Sequence, residues 1–116
     1  MSFDLTSYIE RHREWSQRTF GDVATPTSVT SHIRKELDEI MGDPSDLMEW
    51  VDVMILAIDG AWRFAGATPE EISATLGDKQ AINAARKWST PVKDMPTEHE
   101  RGGGEKFVVA DDGEIG

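Results

Sequence analysis

The sequence predicts an all-α fold of four helices followed by an irregular C-terminal arm, and three observations carry that expectation. Apolar residues recur at three- and four-residue steps through most of the chain, the spacing that lines one face of a helix. Helix-initiation signals stand ahead of these stretches, most clearly Asp43-Pro44 and the capping box Thr68-Pro69-Glu70-Glu71. After Trp88 the chain turns irregular, and the brief run Phe107-Val108-Val109 is open to a short strand or an ordered arm, with a mobile tail as the default.

The first helix is expected from about Asp4 to Arg18, with Leu5, Tyr8, Ile9 and Trp15 as its apolar residues, closing near Phe20-Gly21. After a linker through Pro26, Thr27 or Ser28 is expected to cap a second helix over Val29 to Met41, with a stripe of Ile33, Leu37, Ile40 and Met41. Gly42 ends it. Asp43 as cap and Pro44 at the first helical position open a third helix that reaches Ala65. Its apolar residues, from Leu47 to Ile58, occur on every side, which predicts burial all round and, in a domain this small, a second subunit covering part of it. A fourth helix is expected from Pro69 to about Trp88, with Ile72, Leu76 and Ile82 on one face and Lys79, Asn83 and Arg86 on another. Beyond it lie Pro91, Pro96, a glycine triplet at 102–104 and an acidic end. The sequence reads as a domain over residues 1–101 and a glycine-hinged tail over 102–116.

Composition narrows the function. The 116-residue chain contains no cysteine, which removes disulfides, thiolate metal sites and cysteine nucleophiles. Its net charge of −10 argues against a sequence-independent nucleic-acid binder, which needs a basic footprint to displace counterions. The N-terminus lacks a signal-peptide pattern and the longest apolar run, Val53 to Ile58, is too short to span a bilayer. A soluble intracellular protein with no membrane partner is expected.

The chemistry concentrates between Glu36 and Asp52. Glu36 with Glu39, and Glu49 with Asp52, are two acid pairs each spaced three apart. On a helix that step turns about 300° and climbs about 4.5 Å, so both members project from one side. Gly42-Asp43-Pro44 lets the two helices run antiparallel with the pairs facing. Carboxylates on an apolar helix are costly unless paired or bound to a cation. Hard oxygen donors without thiolate or a histidine pair select Mg²⁺ or Mn²⁺. Lys79, Asn83 and Arg86 suit phosphate oxygens, so the set describes cations bridging protein carboxylates to a polyphosphate. Two other readings compete. A di-iron bundle also places acids on facing helices, but requires Glu-x-x-His pairs that are absent. A non-catalytic helical adaptor would use the acids as salt bridges, with only Arg34, Lys35 and Arg63 near in sequence to neutralise them. Asp59 is expected to pair with Arg63 or Lys79 rather than a metal. His32, one turn before Glu36, is open to a base, a phosphate or a structural role. Trp15, Phe20 and Trp88 are candidates to stack on a base, Trp50 and Trp62 are expected to pack, and His99 to order its loop.

Taken in order, Glu-x-x-Glu, a short gap, Glu-x-x-Asp, then Lys-x-x-x-Asn-x-x-Arg resembles the all-α nucleoside triphosphate pyrophosphohydrolases of the MazG-like superfamily. The stretches HIRKELDEI, DLMEWVDVMILAIDGAWRFAG, TPEEI, KQAINAARKW and PTEHERG are similar to its phage-type, MazZ-like dATP/dGTP branch, over roughly Trp15 to Gly102. The resemblance implies a four-helix MazG-like bundle, a homodimer or homotetramer, and cleavage of a purine deoxynucleoside triphosphate to monophosphate and pyrophosphate with two or three Mg²⁺ or Mn²⁺ ions. It implies metal ligation by Glu36, Glu39, Glu49 and Asp52, and phosphate or sugar contacts from Lys79, Asn83 and Arg86. Many members carry tandem glutamates at the start of the first motif; here Lys35 precedes Glu36, leaving the metal count open and offering Lys35 to the triphosphate. The implied reaction is in-line attack of water on the α-phosphorus, with Glu39 or Glu36 accepting the proton. A cytoplasmic location follows, the bacterial host cytosol if the chain is phage-encoded.

Overall fold

A computed structural model describes residues 2–100, which hold four α-helices: α1 (Leu5–Phe20), α2 (Pro26–Gly42), α3 (Leu47–Phe64) and α4 (Pro69–Ala85). The expected arm at 107–109 and the tail lie outside the described residues. The chain divides into two compact units, Met1–Thr75 and Leu76–Gly116.

The first unit contains α1, α2, α3 and the start of α4. Asp4 caps α1 by accepting from the Ser7 backbone N–H at 3.0 Å, and Gly21, at φ +63°, closes it where the sequence predicts. The start of α2 differs from expectation. Thr25 is its cap, in a reciprocal box with Ser28, and Pro26 occupies the first helical position rather than the linker. The third helix also starts elsewhere. Asp43 closes α2, its N–H donating to the carbonyls of Glu39 and Ile40, while its side chain accepts from Ser45. Pro44 therefore sits in a turn, and Asp46, one turn later, caps α3 through the Met48 N–H at 3.0 Å. Two acids compete for the same capping role, and the one that leaves Asp43 free to end α2 prevails.

α3 packs against α2 and α1. The buried apolar core among the described residues is Ile9, Val29 and Ile40. On α2 the inward face is Val29, Glu36 and Ile40, so Leu37 and Met41 of the expected stripe lie exposed beside it. The expected all-round burial of α3 is not present among the described residues: no residue of α3 is fully buried, and Leu47, Met48 and Met54 are 73%, 71% and 61% exposed. Helices α1 and α2 alone cover too little of a helix that is apolar on every side. Trp50 is half exposed and donates to the Pro44 carbonyl at 2.9 Å, fastening α3 to the turn before it.

The capping box of α4 forms as predicted, Thr68 and Glu71 exchanging bonds of 2.9 and 3.1 Å, and Pro69 is buried at the first helical position. Thr6 and Ser73 hydroxyls meet at 2.7 Å, tying α1 to the N-terminal part of α4. In the second unit α4 ends at Ala85, earlier than expected, where the Arg86 N–H turns back to the Asn83 carbonyl. Leu76 and Ile82 are exposed. Trp88 and His99 then pair across an antiparallel bridge, their rings edge to face at 5.7 Å, which orders this segment around a buried His99.

Candidate active site

The turn at 43–46 brings the acid pairs of α2 and α3 together. Glu36, Glu49 and Asp52 each offer a carboxylate oxygen to a cluster in which these atoms lie within 4.8 Å of one another. Glu36 is buried, Glu49 half-buried and Asp52 exposed. Burial of the acids is thus imposed mainly through α2, not through an α3 enclosed on all sides. One oxygen each of Glu36 and Glu49 is buried without a hydrogen-bond partner. Glu39 is exposed on α2 and completes the group by its contact with Glu49.

The electrostatics of this group are unbalanced. The Glu49 carboxyl is pushed up to about 7, first because it shares a hydrogen bond with the Glu39 carboxyl, then by desolvation and by the charges of Glu39, Asp46 and Glu36. Among the described residues, the one basic side chain that meets the cluster is His32, whose Nε2 lies 3.3 Å from Glu36. Hard oxygen atoms that converge, lack donors and repel one another fit a divalent cation, and the set lacks the soft ligands that favour zinc or copper.

Glu36 and Asp52 stand on the wall of a cleft of about 580 Å³ between α1, α2 and α3. Of the base candidates, Trp15, Phe20 and His32 line it; Trp15 and Phe20 meet edge to face at 5.4 Å. Trp88 belongs to the second unit, where its indole N–H donates to the Asn83 carbonyl. Lys79, Asn83 and Arg86 also belong to that unit; Arg86 donates to the Asn83 side-chain oxygen at 3.3 Å. Lys35 is exposed on α2.

The cleft also contains a network whose full extent the sequence did not reveal. Asp59 accepts from Arg63 Nε at 2.7 Å, the pairing expected from sequence, and also from Ser16 Oγ at 2.7 Å and Trp62 Nε1 at 3.1 Å, with His12 Nε2 at 3.0 Å. Arg63 donates further to the Gly21 carbonyl and to Ser16, and its guanidinium lies 4.4 Å over the Trp62 ring. Burial acts to raise the Asp59 pKa, but the hydrogen bonds from Ser16, Arg63 and His12 and the Arg63 charge outweigh it and hold the carboxyl below its ordinary value. The sequence does not single out His12 and Ser16, because their partner Asp59 lies on another helix. The signal available was their four-residue spacing on α1, which puts both polar groups on one face with buried Ile9 close by.

Residues 8–104 match the dATP/dGTP pyrophosphohydrolase family. The Eaa protein of Salmonella phage P22 is 39% identical over 88 residues, covering 76% of this chain; the chain spans 27% of that relative's length. Among solved structures, the cyanophage S-2L MazG-like pyrophosphohydrolase, bound to dGDP and three catalytic Mn²⁺ ions per active site, superposes with a TM-score of 0.66 at 22% identity. That match covers 85% of this chain and 99% of the cyanophage chain, and it shows the MazG-like fold expected from the sequence.

Two outcomes follow from these electrostatics. In chelated buffer at pH 8, Glu49→Gln is expected to raise the melting temperature by about 2–4 °C by removing one crowded charge, and to abolish the further rise expected when Mn²⁺ is added to the unaltered chain; scanning calorimetry reads both. Because the folded pKa of Asp59 is depressed, its contribution to stability is complete above about pH 3.9 and is lost as pH falls through the lowered value. Urea denaturation between pH 2 and 5 is expected to show a flatter acid loss in Asp59→Asn.

Proposed function

The chain belongs to the dATP/dGTP pyrophosphohydrolase family, and we propose that it hydrolyses a purine deoxynucleoside triphosphate to the monophosphate and pyrophosphate. The observation that carries this reading is the cluster of Glu36, Glu49 and Asp52, with two buried oxygens lacking partners, at the wall of a cleft that also presents Trp15 and Phe20. The cyanophage structural neighbour, which binds dGDP and Mn²⁺, supports the same assignment.

Glu36, Glu39, Glu49 and Asp52 are the residues that would hold Mg²⁺ or Mn²⁺, and such cations would supply charge neutralisation of the phosphates and activation of water at neutral pH. The chain's own residues supply the rest. Glu39, exposed and beside Glu49, accepts the proton as water attacks the α-phosphorus; Glu36 is the alternative base. The bond from the α-phosphorus to the α,β-bridging oxygen breaks, and that oxygen leaves with pyrophosphate. Lys79, Asn83, Arg86 and Lys35 contact the phosphates or sugar. Trp15 and Phe20 offer ring faces to the base, and His32 sits between the base end and Glu36.

The active form is a homodimer or homotetramer in which a second copy covers the exposed apolar surface of α3. Residues 1–101 form the catalytic domain and 102–116 an appended tail. No helix among the described residues is long and apolar enough to cross a membrane, and with the charge of −10 disfavouring nucleic acid the nucleotide pool of the cytoplasm is the place of action.

Chromatography of products from each dNTP and NTP, with Mg²⁺ or Mn²⁺, is the test. The expected result is monophosphate and pyrophosphate from dGTP or dATP. Diphosphate and orthophosphate would place the attack on the wrong phosphorus, and no turnover of any purine nucleotide would overturn the assignment.

A further inference from the structure

Asp52 and Asp59 both line the cleft, separated by two turns of α3, about 10 Å along the helix axis. The acids lie toward one end of that span and the Asp59 network toward the other. A nucleotide held by its phosphates at the acids therefore extends its base toward Asp59.

At that end nearly every polar group is committed. Asp59 Oδ1 is engaged by His12, Ser16 and Trp62, and Oδ2 by Arg63. Arg63 directs three further N–H donors to the Gly21 carbonyl and to Ser16. Among the described residues, His12 Nδ1 has no hydrogen-bond partner. The His12 side chain is only 6% exposed, lines the cleft, and lies 6.2 Å from the Trp15 ring, which meets Phe20 in turn.

The protonation chemistry decides what that nitrogen is. An ionised carboxylate only accepts, so the His12 nitrogen facing Asp59 carries the hydrogen. In the neutral ring the remaining nitrogen is then a lone-pair acceptor. Arg63 already balances the Asp59 charge, so the network does not require a charged imidazole. An acceptor on the cleft wall beside an aromatic platform discriminates between bases, because a bound base without a donor leaves it unpaired.

We propose that His12 is a specificity-determining residue that accepts a hydrogen bond from a ring N–H or amino group of a purine seated against Trp15 and Phe20, with Asp59 as the positioning residue that fixes its tautomer. The inference rests on the nucleotide reading above and goes further by naming what reads the base. Adenine offers its 6-amino group and guanine its ring N–H and 2-amino group; unsubstituted purine offers none of these.

The test compares kcat/KM for dATP, dGTP and the 5′-triphosphate of unsubstituted purine 2′-deoxyriboside, with Mn²⁺. The unaltered chain is expected to favour the better natural substrate over the unsubstituted analogue by about 30-fold, mainly in KM. In His12→Phe, which keeps a ring in place, that ratio is expected to fall to within about threefold. Should His12→Phe fail to fold by circular dichroism, Asp59→Asn gives the same reading, since loss of the fixed tautomer also lowers the ratio. Equal use of the analogue by the unaltered chain, or a ratio that survives in the variant, overturns the role of His12 while leaving hydrolysis intact. Hydrolysis of no dNTP at all by the unaltered chain overturns the nucleotide reading and this assignment with it.

Discussion

The crowding of carboxylates across the α2–α3 turn is the constraint on which the rest of the site depends. Two helices joined by four residues, Asp43 to Asp46, place Glu36, Glu49 and Asp52 within reach of one ion, with Glu39 against Glu49. The Glu49 carboxyl is raised to about 7, first by the hydrogen bond it shares with Glu39, then by desolvation and by the neighbouring charges. A bound cation would remove the repulsion and satisfy the buried oxygens of Glu36 and Glu49.

Asp59, on the same helix, shows how differently the fold treats an acid that it keeps for itself. Arg63, one turn along, neutralises it, and donors from α1 and Trp62 fill its lone pairs, so its pKa falls where that of Glu49 rises. One acid is compensated by protein and ties α1 to α3; the others are left to be compensated by something else. This contrast within one helix is hard to reconcile with a purely structural role for Glu36 and Glu49. The network around Asp59 also fixes the wall on which Trp15 and Phe20 stand, linking the stability of the first unit to the shape of its cleft.

Much of this was legible in residue spacing. The three-residue acid steps, the capping box at Thr68–Glu71 and the Arg63–Asp59 pair are local features, set by helix geometry, and they stand where the sequence placed them. The errors also have local causes. Pro26 stands at the first helical position by the same rule that places Pro69, and Asp46 rivals Asp43 as the cap of α3, which leaves Pro44 in the turn. What depends on contacts between helices was less legible. His12 and Ser16 draw their meaning from Asp59, 47 and 43 residues away. The exposed apolar side of α3 carries the composition of a buried helix, because hydropathy reports that a surface avoids water and not which chain covers it.

The central claim is that these acids exist to bind divalent cations, and Mn²⁺ binding followed by electron paramagnetic resonance tests it most directly. Titrated at neutral pH with a dGTP analogue whose α,β bridge resists cleavage, the chain is predicted to bind more than one Mn²⁺ saturably, with Glu36→Gln weakening that binding at least about tenfold. Weak, unsaturable binding that is the same in the unaltered chain and in Glu36→Gln would contradict the account.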